Sequence, residues 1–164
     1  MLPHLNAAYT LARYLMRNDY EADDVVQDAF LRAIRYFGGF RGEGSGASRA
    51  WLLTIVRNTA FTWRRRQRAD GSEVEFDEAL HSEAITGEHP ESVFSKGASR
   101  ATLAESLEQL PPEFREVIVL RELEGLSYKE ISTVAGVPVG TVMSRLSRAR
   151  KRLSEVLAAS DEER

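Results

Sequence analysis

At 164 residues the chain has room for one medium domain or two small ones. It has no cysteine, which excludes disulfides and Cys-ligated zinc or iron–sulfur sites, and its three histidines, His4, His81 and His89, share no metal-ligand spacing. The formal net charge of −3 hides a strong segregation. Residues 1–68 carry 11 basic and 6 acidic side chains, residues 69–99 carry 1 and 8, and residues 100–164 carry 10 and 11. Local charge, not the sum, governs nucleic-acid binding.

The apolar periodicity predicts three helices in the N-terminal part. The first covers about Pro3 to Arg17, with Leu5, Tyr9, Ala12 and Leu15 or Met16 inward. The second covers about Glu21 to Phe37, with acids in its first turns and Val26, Phe30, Ala33, Ile34 and Phe37 on its apolar face. Gly38-Gly39 ends it, and Phe40 to Ser48 is too rich in glycine to be helical. The third covers about Arg49 to Arg68, with Leu52, Ile55, Val56, Thr59 and Trp63 at core spacing.

Two constellations stand out there. Asp24, Gln27, Asp28 and Leu31 share one helix face at i, i+3, i+4, i+7. The face suits a divalent metal, an acid pair or a basic docking partner, and equally a set of acids favoured by the helix dipole. No nucleophile, histidine or phosphate loop accompanies it, which speaks against catalysis. Trp51, Arg57, Asn58, Phe61 and the run Trp63 to Arg68 mix aromatics with Arg and Asn. Such a surface suits single-stranded or melting DNA: rings stack on bases, Arg neutralises phosphate, and an amide reads a base edge. The two Trp residues also fit a core role.

Residues 69–99 combine acids, glycines and weak periodicity, which predicts a flexible acidic linker. Four more helices follow. One covers about Arg100 to Gln109, and one runs from Pro111-Pro112 to Gly125. Ser127 and Glu130 have capping-box spacing at the start of the third, which ends at Gly136. Val137 fits the corner, and Pro138 fits the first turn of the fourth. In that last helix Val142, Leu146, Ala149 and Leu153 form one stripe, and Thr141 to Leu153 hold five basic residues and no acid. Helix, tight turn and basic helix make a helix-turn-helix, which sets one helix in the DNA major groove. The fold class is therefore all-α: two small helical domains joined by an acidic flexible linker, the second a four-helix domain with a helix-turn-helix. The expected boundaries are 1–68, 69–99 and 100–160.

Four segments in this order resemble the extracytoplasmic-function sigma factors of bacterial RNA polymerase: Ala22 to Ala33, Arg49 to Thr59, Leu110 to Ile131 and Val137 to Val142. The resemblance covers nearly the whole chain. It implies a promoter-recognition factor, with no enzymatic activity and no cofactor. It further implies that Asp24, Gln27, Asp28 and Leu31 dock on the clamp helices of the largest polymerase subunit. Arg57, Asn58, Phe61, Arg64 and Arg65 would recognise and open the minus-ten element. Thr141, Met143, Ser144, Arg145, Ser147 and Arg148 would read the minus-thirty-five element, with the flap of the second polymerase subunit as a further partner. The linker would thread into the polymerase channels, and an anti-sigma factor would sequester the protein. Three features depart from the family pattern: a longer, Gly-rich loop before Trp51, Met143 where a basic residue is common, and a start close to the first helix. The rival readings are a sigma-like decoy for an anti-sigma factor and a dimeric helix-turn-helix repressor. The persistence of Arg145, Arg148, Arg150, Lys151 and Arg152 argues against the first, and the acidic face and Arg-aromatic helix against the second. No run approaches a membrane span and no signal-peptide layout is present, so the expectation is a cytoplasmic chain without membrane insertion.

Overall fold

The structure, a computed structural model, describes residues 4–16, 18–39, 44–69, 76–78 and 100–162. It is all-α, and no strand occurs among the described residues. The helices are α1 (Leu5–Leu15), α2 (Asp19–Tyr36), α3 (Gly44–Ala69), α4 (Arg100–Glu108), α5 (Pro112–Ile118), α6 (Tyr128–Ala135) and α7 (Val139–Glu162).

Local chemistry sets most boundaries. Asn18 is extended, and its side chain accepts a 2.8 Å hydrogen bond from the Glu21 N–H, so α2 starts two residues earlier than its acidic first turn suggested. Its end tightens into a 3₁₀ turn over Phe37–Gly39. The helix α3 differs more. It begins at Gly44, so residues 44–48 are helical where a glycine-rich loop was expected; residues 40–43 of that loop lie outside the described residues. Glycine lowers helix propensity by roughly 1 kcal/mol per residue, an amount that tertiary packing overrides. After Pro111, Pro112 opens α5 where no N–H is required. The helix then widens into a π turn over Val119–Leu123, and Gly125 (φ 67°) reverses the chain.

The core forms one continuous cluster. Leu11, Leu15, Leu52, Leu53 and Val56 of the N-terminal part and Phe114, Ile118, Leu120, Leu126, Ile131 and Leu146 of the C-terminal part are all buried. Each such side chain contributes about 1.5–3 kcal/mol on burial. The two helical parts touch directly, α1 against α5 and α3 against α6. The stripe Val142, Leu146, Ala149 and Leu153 is buried as its spacing required. The α2 stripe needs correction. Ala22, Val25, Val26, Ala29 and Ala33 are buried, while Ile34 and Phe37 are 64% and 55% exposed. The α2 interior is made of small side chains, which let α1 and α3 approach closely, and the last turn runs past that packing. There Phe37 meets Trp51 edge-on, with ring centroids 6.1 Å apart.

Of the expected linker, Ala69 ends α3 and residues 76–78 are described; the rest lies outside the described residues. Phe76 packs edge-on against Phe114 of α5 at 5.7 Å.

Candidate nucleic-acid and polymerase interfaces

The helix-turn-helix is α6, its turn and the first half of α7. Ser127 and Glu130 form the full capping box: the Glu130 N–H donates to Ser127 Oγ (3.1 Å) and the Ser127 N–H to Glu130 Oε1 (2.9 Å). Gly136 is left-handed (φ 69°, ψ 33°), and its N–H closes on the Ser132 carbonyl. Val137 packs against the core at the corner. Pro138 precedes α7 and does not enter its first turn. Its carbonyl accepts the Thr141 and Val142 N–H groups.

Along α7, Met143 is 52% exposed, and Thr141, Ser144, Ser147 and Arg148 are partly exposed. These five side chains form one accessible face. Arg145 does not join it. It is 8% exposed, its Nε donates to Glu78 Oε1 at 2.6 Å, its guanidinium lies 5.3 Å from the Phe76 ring centre, and NH1 stands 3.9 Å from Glu116 Oε1. Arg148 lies 3.8 Å from the other Glu78 oxygen. Arg150 is bound to Glu122 at 2.9 Å, tying α7 to the π turn.

The Arg-aromatic face of α3 is divided in the same way. Asn58 and Arg65 are exposed and Phe61 is partly exposed under the Arg57 guanidinium, 3.9 Å from its ring centre. Arg57 donates from Nε and NH2 to both oxygens of Glu116, at 2.8 and 3.2 Å. Arg64 is buried and donates to the Leu15 carbonyl, so it braces α3 against α1. Its long stem can lie in the core while its head finds a carbonyl. Trp51 and Trp63 are partly buried against the core, in line with a packing role.

On α2, Asp24, Gln27 and Leu31 are exposed on one face, Leu31 by 65%. Asp28 is half-exposed, accepts from Trp63 Nε1 (3.4 Å) and pairs with Arg32 (3.4 Å). No group of side chains suited to a metal ion occurs among the described residues.

Sequence reasoning missed three acids. Glu116 is fully buried between Arg57 and Arg145; burial pushes its carboxyl up, and the two guanidiniums pull it back. Glu113 is pushed up by burial, and its Oε2 is buried without a hydrogen-bond partner. Burial also raises Glu124, whose backbone carbonyl accepts from Arg49 (3.1 Å). The surplus acids of α5 were the available signal: the α5 stripe needs no charge, yet Glu116 sits among apolar positions.

Comparisons with known proteins fit this layout. Residues 2–69 match the family described as Sigma-70 region 2, and residues 100–153 match Sigma-70, region 4. The chain is 40% identical over 146 residues to the RNA polymerase sigma-H factor of Pseudomonas aeruginosa, covering 84% of this chain and 73% of that one. It is 38% identical over 152 residues to the ECF RNA polymerase sigma-E factor of Escherichia coli K12, covering 89% and 78%. Among solved structures it is similar to the sigma factor RpoE in complex with the anti-sigma factor NepR from Bartonella quintana (TM-score 0.72, 29% identity, 96% and 93% coverage). It is also similar to CnrH in complex with the cytosolic domain of CnrY (TM-score 0.62, 27% identity, 96% and 84% coverage). No described helix is long and apolar enough to cross a membrane. The chain belongs to the extracytoplasmic-function sigma factors of bacterial RNA polymerase, and its role is transcription initiation, not catalysis.

Proposed function

We propose that this sigma factor acts in the cytoplasm through a two-point grip on promoter DNA while bound to core polymerase. A first domain (1–68) docks on the clamp helices of the largest subunit through Asp24, Gln27, Asp28 and Leu31, and melts the minus-ten element with Arg57, Asn58, Phe61 and Arg65. A second domain (100–160), held at the flap of the second subunit, reads the minus-thirty-five element through Thr141, Met143, Ser144, Arg145, Ser147 and Arg148. Residues 69–99 connect them. Arg64 is assigned a bracing role instead of a DNA contact, because its guanidinium is committed to the Leu15 carbonyl. An anti-sigma factor is the expected regulator, since one of the similar structures is a sigma factor in complex with an anti-sigma factor.

The observation that carries this reading is the coexistence of two faces in one chain. One is the exposed Asp24, Gln27 and Leu31 face; the other is a capped helix-turn-helix with an accessible polar face on α7. Tethering both DNA contacts to polymerase makes the second effectively intramolecular, so neither needs high affinity alone. Minus-ten melting has an unstacking cost, offset when an extruded base is bound. The test is in vitro transcription with core polymerase on a pool of genomic fragments. Discrete start sites preceded by a shared two-part element are expected. Their absence, with core that initiates normally from another sigma factor, would overturn the reading.

A further inference from the structure

The exposed start of α7 is apolar, although α7 is the helix assigned to the DNA major groove. Residues 138–144 carry no charge. Val139 and Met143 stand one turn apart on the same side, 39% and 52% exposed. They lie off the stripe of Val142, Leu146, Ala149 and Leu153 that packs α7 on the core, so they are apolar without a core to fill. Arg145, the first cation of the helix, is buried, and Arg148 and Lys151 follow more than a turn beyond Met143. Between the apolar pair lies Gly140, which is exposed. Glycine weakens a helix, and nothing inside the fold requires it here: its φ is not positive, and a Cβ would meet no atom within 4 Å. The missing side chain leaves room for close approach from outside.

We propose that Val139 and Met143 are specificity residues that read the 5-methyl group of thymine in the upstream promoter element, while Arg148 and Lys151 hold phosphates. The idea rests on the DNA role proposed for α7. Among the four bases, thymine alone offers an apolar group in the major groove. The first residues of a recognition helix are the ones that reach base edges. A guanine edge presents two acceptors and is met best by an Arg or Lys donor. No such donor stands at 138–144, and the Ser144 hydroxyl already donates to the Thr141 carbonyl (3.1 Å). The apolar pair therefore gains from a methyl group and nothing from an acceptor. Gly140 lets the backbone come close enough for both side chains to cover that methyl. This contact is hydrophobic and releases no counterion, whereas a phosphate contact from Arg148 or Lys151 does.

The test uses the holoenzyme and a duplex carrying a promoter recovered by the transcription selection. Thymines of its upstream element are replaced by deoxyuridine, which lacks only the methyl group. Affinity is expected to fall by about threefold to fivefold for each methyl contacted, the scale of one buried methyl. The loss is expected to be the same at about 50 and about 200 mM salt. Deoxyuridine in the spacer between the two elements is expected to change nothing. Val139→Ala combined with Met143→Ala is expected to bind the thymine duplex more weakly and to treat the two duplexes alike. Both side chains are exposed and alanine suits a helix, so circular dichroism is expected to be unchanged. Arg148→Ala is expected to weaken binding to both duplexes equally and to keep their ratio. Equal affinity of the unaltered chain for the two duplexes, a ratio retained by the double alanine variant, or an upstream element of G·C pairs alone would overturn the methyl reading. A scrambled upstream element bound as tightly as the intact one would instead refute the DNA role of α7, and the methyl reading with it.

Discussion

Glu116 on α5 and Arg57 on α3, 59 residues apart, form a two-bond ion pair of 2.8 and 3.2 Å with the carboxylate fully buried. It joins the part of the chain that matches Sigma-70 region 2 to the part that matches region 4. Removing one partner of a buried pair leaves the other desolvated and uncompensated, typically at 3–5 kcal/mol. Arg145 remains 3.9 Å from Glu116 and softens that loss. Arg57→Ala is therefore expected to lower stability by about 1–3 kcal/mol, read from the urea midpoint. An unchanged midpoint would mean that the pair does not form in the free chain.

Glu113 supplies a pH dependence of known sign. Burial raises its carboxyl above the ordinary value of about 4.5 in the folded chain. Its favourable contribution is fully present below that ordinary value and is lost as pH rises through the folded-state value. Glu113→Gln, neutral at every pH, is expected to melt about 1–3 °C above the unaltered chain at neutral pH, with the gap closing toward pH 4.5. A gap that widens on acidification would contradict the burial argument. Calorimetry across that window decides it.

The α2 face can be tested without touching the core. Asp24 is exposed and forms no described ion pair. Asp24→Arg is expected to leave helicity and melting temperature unchanged while weakening core polymerase binding by about tenfold or more, the scale of a like-charge clash at an interface. Undiminished co-purification with core would remove this face from the polymerase contact.

Met143 is the most exposed side chain of the accessible face of α7 and carries no charge. Met143→Arg is expected to tighten duplex binding and to steepen the dependence of log affinity on log salt by about one unit, one more phosphate contact. A slope identical to that of the unaltered chain would place position 143 away from the backbone.

Gly136 isolates the turn. A Cβ there meets no atom within 4 Å, so Gly136→Ala tests only the left-handed backbone (φ 69°). The expected loss is about 1–2 kcal/mol. Removing the cap by Ser127→Ala is expected to cost about 1 kcal/mol. Thermal unfolding of both variants separates the turn from the cap, and no loss for Gly136→Ala would show that the corner relaxes.

Much of this molecule is local, and local features are legible in a sequence. The Ser127–Glu130 box, the left-handed Gly136, the stripe Val142 to Leu153 and the exposed Asp24–Gln27–Leu31 face each follow from spacing, because capping and amphipathicity act within one or two turns. The charge segregation likewise announced a nucleic-acid protein with an acidic segment. Other features waited for the tertiary structure. A count of arginines could not separate the exposed Arg65 from Arg64, which turns inward to the Leu15 carbonyl, or Arg148 from Arg145, which is buried against Glu78 and Phe76. Nor could periodicity show that Ile34 and Phe37 run past the packing of α2, or that α3 begins at Gly44. Periodicity reports which face of a helix is apolar; what covers that face, and which distant carboxylate meets a long, flexible guanidinium, is settled only when the helices pack.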